Sequence, residues 1–141
     1  MALDFVPGMG ISASGLHAER KRMDVAANNM ANANSTSGSR EEVYQRRQVV
    51  LSPEFERHFG TSLEKLKGVR IEKVSRENRA PKQEYAPHHP QANEEGMVQK
   101  ANISPLEEMT DMMTAMRAYE ANLNAMKQSQ EMARRVIDLA K

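Results

Sequence analysis

The residues whose types could bind a metal ion lie in one stretch, where His88 and His89 are followed by Glu94 and Glu95. Imidazole and carboxylate groups are common zinc ligands, so this stretch is the candidate metal site. Adjacent side chains of an extended segment point to opposite sides, however, which makes joint ligation by the two histidines awkward. The sequence also shows no phosphate-binding Gly-rich loop, no nucleophile elbow and no paired histidines at helical spacing. We therefore predict no catalytic, cofactor or metal site.

Composition and charge argue against several other functional classes. Twenty Lys and Arg residues balance nineteen Asp and Glu residues, for a net charge of +1. Binding to nucleic-acid phosphates normally needs a clear basic excess, so we expect no nucleic-acid partner. The absence of cysteine excludes disulfides, thiolate zinc sites and a cysteine nucleophile. No apolar run approaches the roughly 20 residues of a membrane span, and no cleaved secretory signal is visible. We expect no membrane insertion, and either a soluble protein or export by a route that reads no such signal.

The pattern that organises the chain is a heptad repeat near its C-terminal end. Alternating three- and four-residue steps join Met109, Met112, Met116, Tyr119, Leu123, Met126, Gln130, Ala133, Ile137 and Ala140. Such a repeat places its members along one side of a helix and is typical of a coiled coil. This row of side chains must be covered by the rest of the chain, by other copies, or by both.

The start of this C-terminal helix is predicted at Pro105. Ser104 and Glu107 have the spacing of a capping box, in which each side chain bonds the backbone N–H of the other residue, and proline is favoured at the first helical position. No Gly or Pro follows, so the helix should run for about 35 residues and roughly 50 Å.

A second long helix is predicted from Met9 to about Ala31. Two sets of apolar residues repeat every seven positions on nearly opposite sides, namely Met9, Leu16, Met23 and Met30, and Ile11, Ala18 and Val25. A helix that is apolar on two sides is normally held between neighbours. The alternative is an ordinary buried helix with Ala-rich flanks.

An amide-rich segment ends this helix. Asn28, Asn29, Asn32 and Asn34 lead into a run of small polar residues that closes with Gly38. Such residues compete for backbone hydrogen bonds and favour turns. We interpret the segment as a contact surface, with a plain loop as the alternative.

Residues 39–101 have a different composition and predict a small β region. One strand is expected from Tyr44 to Leu51, ending before Pro53, and a second around Val69, Ile71 and Val74, with a short helix or loop from Glu54 to Leu66 between them. Pro81, Pro87 and Pro90 should then hold the chain extended towards Gly96. The predicted fold is mainly α with this small β region, divided at residues 1–38, 39–101 and 102–141.

Two motifs stand at opposite ends of the chain, one in each predicted helix. The first comprises Ser14-Gly15-Leu16, Arg22-Met23-Asp24-Val25 and Asn28-Asn29-Met30-Ala31-Asn32-Ala33-Asn34-Ser35-Thr36, and the second is Arg117-Ala118-Tyr119-Glu120-Ala121-Asn122. Together they resemble the axial rod and hook proteins of the bacterial flagellum. The middle resembles the short proximal-rod branch of that family, through Tyr44 to Val50, Tyr85-Ala86-Pro87-His88-His89-Pro90-Gln91-Ala92-Asn93, Glu95-Gly96-Met97-Val98 and Asn102-Ile103.

This resemblance implies a structural role without a cofactor. Members of the family leave the cell through the flagellar type III export apparatus without a cleaved signal peptide. They assemble in the periplasmic part of the basal body into a hollow rod that transmits motor torque and encloses the export channel. Their terminal helices pack as a coiled coil near the rod axis. The implied partners are other copies, other rod proteins, an adaptor between rod and membrane ring, and the export apparatus.

The resemblance and the heptad pattern together select the residues expected to make contacts. For axial packing we select Leu16, Met23, Met30, Met109, Met112, Met116, Tyr119, Leu123 and Met126. For subunit contacts and the family motifs we select Asn28, Asn29, Asn32, Asn34, Arg117, Glu120 and Asn122. The competing hypotheses are a soluble coiled-coil adaptor or chaperone of an export system and, last, an enzyme that uses His88 and His89.

Overall fold

The computed structural model describes residues 7–39, 42–57 and 64–139. Two long helices stand at the ends of this region, with short antiparallel sheets between them, which confirms a mainly helical chain with a small β region. The elements are α1 (Pro7–Ala31), β1 (Thr36–Ser37), β2 (Arg47–Arg57), β3 (Glu64–Arg76), β4 (Lys82–Tyr85), β5 (Met97–Lys100) and α2 (Pro105–Leu139). Within the described residues, no helix is long and apolar enough to cross a membrane.

Both helices begin with a proline. α2 starts at Pro105 as predicted, and α1 starts at Pro7, two residues earlier than predicted, because proline is well suited to the first helical position. The predicted capping box is wrong. Glu107 instead accepts two hydrogen bonds from Arg79, at 2.9 and 3.0 Å, and among the described residues none joins it to Ser104. A bidentate hydrogen bond between charged groups is stronger than a single hydrogen bond to a backbone N–H.

The two helices lie side by side and run antiparallel. A Cβ atom on Gly8 would lie 3.2 Å from Ser129 Oγ, and one on Gly15 would lie 2.9 Å from the amide group of Asn122. Further along, the side chain of Asn29 in α1 bonds Glu108 in α2. Residue numbers therefore increase along α1 where they decrease along α2. Successive contacts are seven and then fourteen residues apart on each helix. The side-by-side packing is observed, whereas coiling of the helices around each other stays a prediction.

The chain between β3 and α2 is more folded than predicted. The stretch from Pro81 to Gly96 does not run extended, because β4 pairs with β5 and the chain between them closes two tight turns, His89 N to Ala86 O and Ala92 N to His89 O. Proline and asparagine favour such turns. Gly96 completes the reversal with φ of 75°, which is a conformation that suits glycine.

A three-stranded sheet of order β1-β5-β4 covers a small apolar core. Four buried residues form this core, with Tyr44 packed at its side: Ala33, Val43, Ala101 and Ile103. They come from the end of α1, the approach to β2 and the approach to α2. The sheet thus fixes how the chain leaves one helix and enters the other.

Strands β2 and β3 form a separate two-stranded antiparallel ribbon. Its pairing runs from Arg47 opposite Arg76 to Arg57 opposite Glu64, with irregularities after Val50 and after Glu54. The prediction of a short helix or loop from Glu54 to Leu66 is wrong at both ends, because the strands continue through residues 54–57 and 64–66; residues 58–63 lie outside the described residues.

Pro53 does not end the strand as predicted. It lies opposite Val69, and the Val69 N–H donates to Ser14 Oγ of α1, at 3.0 Å. The Val69 N–H therefore bonds α1 and not β2. No ladder hydrogen bond is needed at this pair of residues, so the strand accommodates Pro53, which has no N–H group. Proline is accepted within a strand where no ladder bond is needed from it.

The ribbon lies along α1 and is anchored there at one close approach. Gly68 has φ of 148°, and a Cβ atom at this position would collide with Ser14 Oγ and lie 3.7 Å from Ile11 Cα. Glycine is required here for both reasons. At the other end of the ribbon, Asn29 of α1 bonds the backbone of Arg47. The ribbon therefore follows α1 from Asn29 to Ile11.

Candidate functional site

A buried asparagine joins the two helices to the ribbon. The Asn29 side chain is 1% exposed. Its Nδ2 atom donates to Glu108 Oε2 at 2.9 Å and to Arg47 O at 2.8 Å. Its Oδ1 atom accepts from Arg47 N at 3.0 Å and from the Tyr44 hydroxyl at 3.1 Å. All four hydrogen-bonding positions of this amide are used within the chain.

Arg46 is the centre of the charged part of the same cluster. Its Nε atom bonds Glu108 Oε1 at 2.5 Å, and its two terminal nitrogens bond Glu77 at 3.1 Å and Asp111 at 2.7 Å. Burial disfavours the charged form of this guanidinium, but the bonds to Glu108 and Glu77 outweigh that cost and raise the pKa of Arg46 above its ordinary value. Glu108 is itself 1% exposed, so Arg46 neutralises a carboxylate that has almost no contact with water.

Arg79 extends the cluster towards the surface. Besides its two bonds to Glu107, its Nε atom lies 2.8 Å from Glu77. The hydrogen bond from Arg79 is the largest cause that lowers the pKa of each of these two carboxyl groups, and it outweighs burial, which acts in the opposite direction. We call Asn29, Arg46, Glu77, Arg79, Glu107, Glu108 and Asp111 the polar joint. It ties α1, the start of the ribbon, the segment after β3 and the first turns of α2 to one another.

The sequence did not indicate that the charged members of this joint lie together. Arg46 and Glu108 are 62 positions apart, so no spacing rule connects them. The only signal was a set of carboxylates in the first turns of α2, namely Glu107, Glu108 and Asp111. Acidic residues near a helix start are common because they oppose the helix dipole, so that signal does not distinguish a buried cluster from a solvated one.

The face that α2 turns towards α1 includes residues that lie beside members of the predicted heptad row. Ala115 is fully buried, and Asn122 and Ser129 approach glycines of α1. Of the predicted seam, Met109 and Met116 are 51% and 47% exposed. Small residues let the helices approach closely at these levels.

Those larger side chains share one side of the helix pair. Met109 follows Glu108 by one position, and one position turns about 100° around a helix. Leu16 in α1 likewise follows Gly15. Because the helices are antiparallel, both rotations lead to the same side of the pair. We call this surface the methionine face; it comprises Leu16, Met23, Met30, Met109, Met113, Met116 and Leu123.

The methionine face is only partly covered by the chain. Met109, Met113 and Met116 are each about half exposed, and Leu16, Met23, Met30 and Leu123 are half-buried. Three other residues selected for axial packing, Met112, Tyr119 and Met126, are also half-buried and lie nearer the contact with α1. Whether the nine residues selected for axial packing, which do not include Met113, pack along a rod axis stays a prediction.

The residues selected for subunit contacts have different environments. Asn29 is used inside the chain, as described above. Asn28 and Asn32 bond carbonyl groups one turn earlier, at Asp24 and Asn28, and so complete the end of α1. Asn34, Arg117 and Glu120 are exposed, and Asn122 faces Gly15. The contact role stays a prediction for the exposed members.

The histidine pair has a local structural role at one position. His89 Nδ1 accepts the Gln91 N–H at 3.2 Å, inside the turn that follows Pro87, and His88 is exposed. Within residues 7–39, 42–57 and 64–139, no three His, Asp or Glu side chains are placed to hold a metal ion.

Comparison with known proteins finds flagellar basal-body rod proteins in matches to both ends of the chain and in relatives that cover most of it. The family described as "Flagella basal body rod protein" matches residues 9–39, and "Flagellar basal body rod FlgEFG protein C-terminal" matches residues 94–139. Relatives named flagellar basal-body rod protein FlgC include those of Bacillus subtilis (34% identical over 94% of this chain and 96% of the relative) and Aquifex aeolicus (37%, over 96% and 97%). The Salmonella typhimurium protein is 32% identical over 92% of each chain.

Proposed function

This chain belongs to the FlgC family of flagellar basal-body rod proteins, and we propose that it is a self-assembling subunit of the proximal rod. In this proposal, copies of the chain pack with one another and with other rod proteins into a hollow shaft that transmits motor torque and encloses the export channel. Residues 1–38 and 102–141 form its axial part, where α1 and α2 pack as a coiled coil, and residues 39–101 form its outer part.

The methionine face is the observation that carries this proposal. A pair of long helices with a row of half-exposed Met and half-buried Met and Leu side chains along one side leaves apolar surface uncovered, and such patches mark protein contacts. Methionine is flexible and polarizable, so one Met-rich surface fits neighbours of different shape. A rod built from several related proteins requires this kind of surface.

The remaining elements of the proposal follow from family membership. They are export through the flagellar type III apparatus without a cleaved signal peptide, a periplasmic location in the basal body, and contact with an adaptor between rod and membrane ring. The relatives are named as rod proteins, and we propose no enzymatic activity.

A charge placed on the methionine face tests the proposal. Met116→Asp should abolish motility and complete rods in a flagellated host that lacks its own FlgC, because burying an unpaired carboxylate at a subunit contact is costly. The matched control is Gln128→Asp, since Gln128 is exposed and lies away from this face. Swimming in soft agar and electron microscopy of isolated basal bodies provide the measurements. Normal motility with Met116→Asp would contradict the proposal.

The soluble adaptor or chaperone is the alternative to be distinguished. An adaptor should form stable, discrete oligomers when purified alone, with both end segments resistant to protease. A rod subunit should be a monomer whose end segments are cleaved, because helices gain most of their stability from packing. Size-exclusion chromatography with limited proteolysis separates the two hypotheses.

A further inference from the structure

Methionine is the only sulfur-containing residue in this chain. The sequence has eleven methionines and no cysteine, so a peroxide has no thiol to react with here. The thioether of methionine is then the sulfur group that it oxidises. How fast each methionine reacts depends on how far its side chain is exposed to solvent.

Exposed methionines are concentrated on one side of α2. Met109, Met113 and Met116 of the methionine face are 51%, 53% and 47% exposed. Their spacing of four and three residues makes them neighbours on the helix surface. The α1 methionines of the same face, Met23 and Met30, are half-buried. Within the methionine face, a peroxide should therefore react first with the three thioethers of α2.

We propose that Met109, Met113 and Met116 form a peroxide-sensitive site, and that their oxidation in the free chain prevents its assembly. The exposure of these side chains accounts for the sensitivity. The loss of assembly rests on the proposed function, which makes the methionine face a subunit contact, and it holds for whichever neighbour covers that face.

The reaction adds one oxygen atom to each thioether. The sulfur donates an electron pair to one oxygen of hydrogen peroxide, so that an S–O bond forms and the O–O bond breaks. The second oxygen leaves as hydroxide and takes up the proton of the transferred oxygen, which gives water. The sulfur is oxidised by two electrons to the sulfoxide, which converts an apolar side chain into a polar one.

A sulfoxide disturbs a subunit contact more than it disturbs the free chain. In the free chain, an oxygen on Met113 can be solvated because the side chain is half exposed. In a contact, the same oxygen would be buried in an apolar surface, where a polar group without a partner is costly. Oxidation should therefore leave folding intact and weaken assembly, and an assembled contact should protect the thioethers from peroxide.

Met132 provides a comparison within the same helix. Its side chain is 60% exposed, so it should be oxidised at least as readily as Met113. Met132 follows Ser129, which faces Gly8 of α1, by three positions. These positions turn it about 60° from the α1 side, in the direction opposite to Met109. Met132 therefore lies outside the methionine face, and its oxidation should not affect the proposed contact.

Peroxide treatment of the purified chain, followed by mass spectrometry of its peptides, tests the sensitivity. Met109, Met113 and Met116 should each be oxidised about threefold faster or more than half-buried Met23, with an unchanged circular dichroism spectrum. In isolated basal bodies, the same three residues should react about threefold more slowly or more than in the free chain. Equal rates for the four methionines of the free chain would overturn the proposed site. Equal rates in basal bodies and free chain would also refute the methionine face as a contact.

Leucine substitution tests the effect on assembly, because leucine is apolar, similar to methionine in volume and free of sulfur. A flagellated host that lacks its own FlgC receives the natural chain, a triple variant with Met109→Leu, Met113→Leu and Met116→Leu, or the control Met132→Leu. Each strain grows with and without hydrogen peroxide, and complete rods per cell are counted by electron microscopy. Relative to untreated cells, the triple variant should retain about threefold more rods or more than the other two strains.

Other proteins of the host are oxidised equally in all strains, so a difference between strains belongs to the substituted residues. The same loss of rods in every strain would overturn the peroxide-sensitive site and leave the proposed function intact. Protection by Met132→Leu equal to that of the triple variant would also overturn it, because the methionine face would then have no special role. If the triple variant forms few rods without peroxide, Met113→Leu alone replaces it in the same comparison. Failure of the natural chain to form rods without peroxide would overturn the proposed function itself.

Discussion

The polar joint and the methionine face differ in how far their side chains find contacts within the chain. In the joint, Asn29 and Arg46 find their partners within the chain, even though these partners come from distant parts of the sequence. On the methionine face, Met109 and Met116 remain about half exposed on a helix that is already packed. The first region fixes the shape of one subunit, and the second is left for contacts with others. Substitutions in the joint should therefore change stability, and substitutions on the face should change assembly.

Arg46→Leu should have the largest effect on stability. It leaves Glu108 as a buried carboxylate without its cation, and breaking a buried ion pair in this way typically costs about 3–5 kcal/mol. Urea unfolding of the purified chain, followed by circular dichroism, measures the loss. Arg135→Leu is the control, because an exposed change of this kind stays within about 0.5 kcal/mol. Equal losses in the two variants would show that the joint does not stabilise the fold.

Asn29→Ala should have the next largest effect. The change leaves the backbone groups of Arg47 and the Tyr44 hydroxyl without their bonds, and a buried polar group without a partner costs about 1–3 kcal/mol. Asn28→Ala is the matched comparison, since Asn28 lies one position earlier and is exposed. A similar unfolding free energy for both variants would count against a special role for Asn29.

Acid should weaken the joint over a defined pH range. The pKa values of Glu77 and Glu107 are lowered in the folded chain, chiefly by Arg79. Their contribution to stability is therefore complete above the ordinary carboxyl value of 4.5 and is lost as the pH falls below it through the folded values. We expect the unfolding free energy to decrease as the pH falls below about 4.5, and to decrease less in Arg79→Gln. The same slope in both proteins would assign the acid sensitivity to other groups.

Met116→Asp should have the smallest effect on the free chain. The side chain is 47% exposed and packs little within the subunit, so the unfolding free energy should stay within about 0.5 kcal/mol of the natural chain. Together with the expected loss of rods, this result would separate assembly from folding. A loss comparable to that of Arg46→Leu would remove the distinction between the two regions.

Local signals predicted the helices well. Pro105 and the uninterrupted sequence after it fixed the start and length of α2, and the Asn-rich segment marked the end of α1. Family membership was also predicted correctly, because its motifs are local runs of residues. The sequence alone did not predict the strand through Pro53. A proline is accepted there because the opposite Val69 N–H bonds Ser14, which lies far away in the sequence.

The sequence did not specify which residues join the two helices, for a related reason. The heptad pattern selected Met109 and Met116 by their spacing, and the observed contact between α1 and α2 uses Ala115 and the close approach at Gly15. Which of two adjacent rows lies inside depends on the partner helix, and one helix alone does not specify its partner. The same holds for Arg46 and Glu108, which meet only after both helices and the ribbon are in place.

The seven-residue spacing of the helix contacts gives the polar joint one more consequence. If α1 slid along α2 by one heptad, about 10 Å, Gly8 and Gly15 would lie opposite Asn122 and Ala115, so the close approaches alone distinguish poorly between the two alignments. Only Asn29 opposite Glu108 satisfies the buried amide and carboxylate, and a single buried polar position is known to fix the alignment of paired helices. The joint therefore sets the length of the subunit, and every copy with the joint intact has the same length.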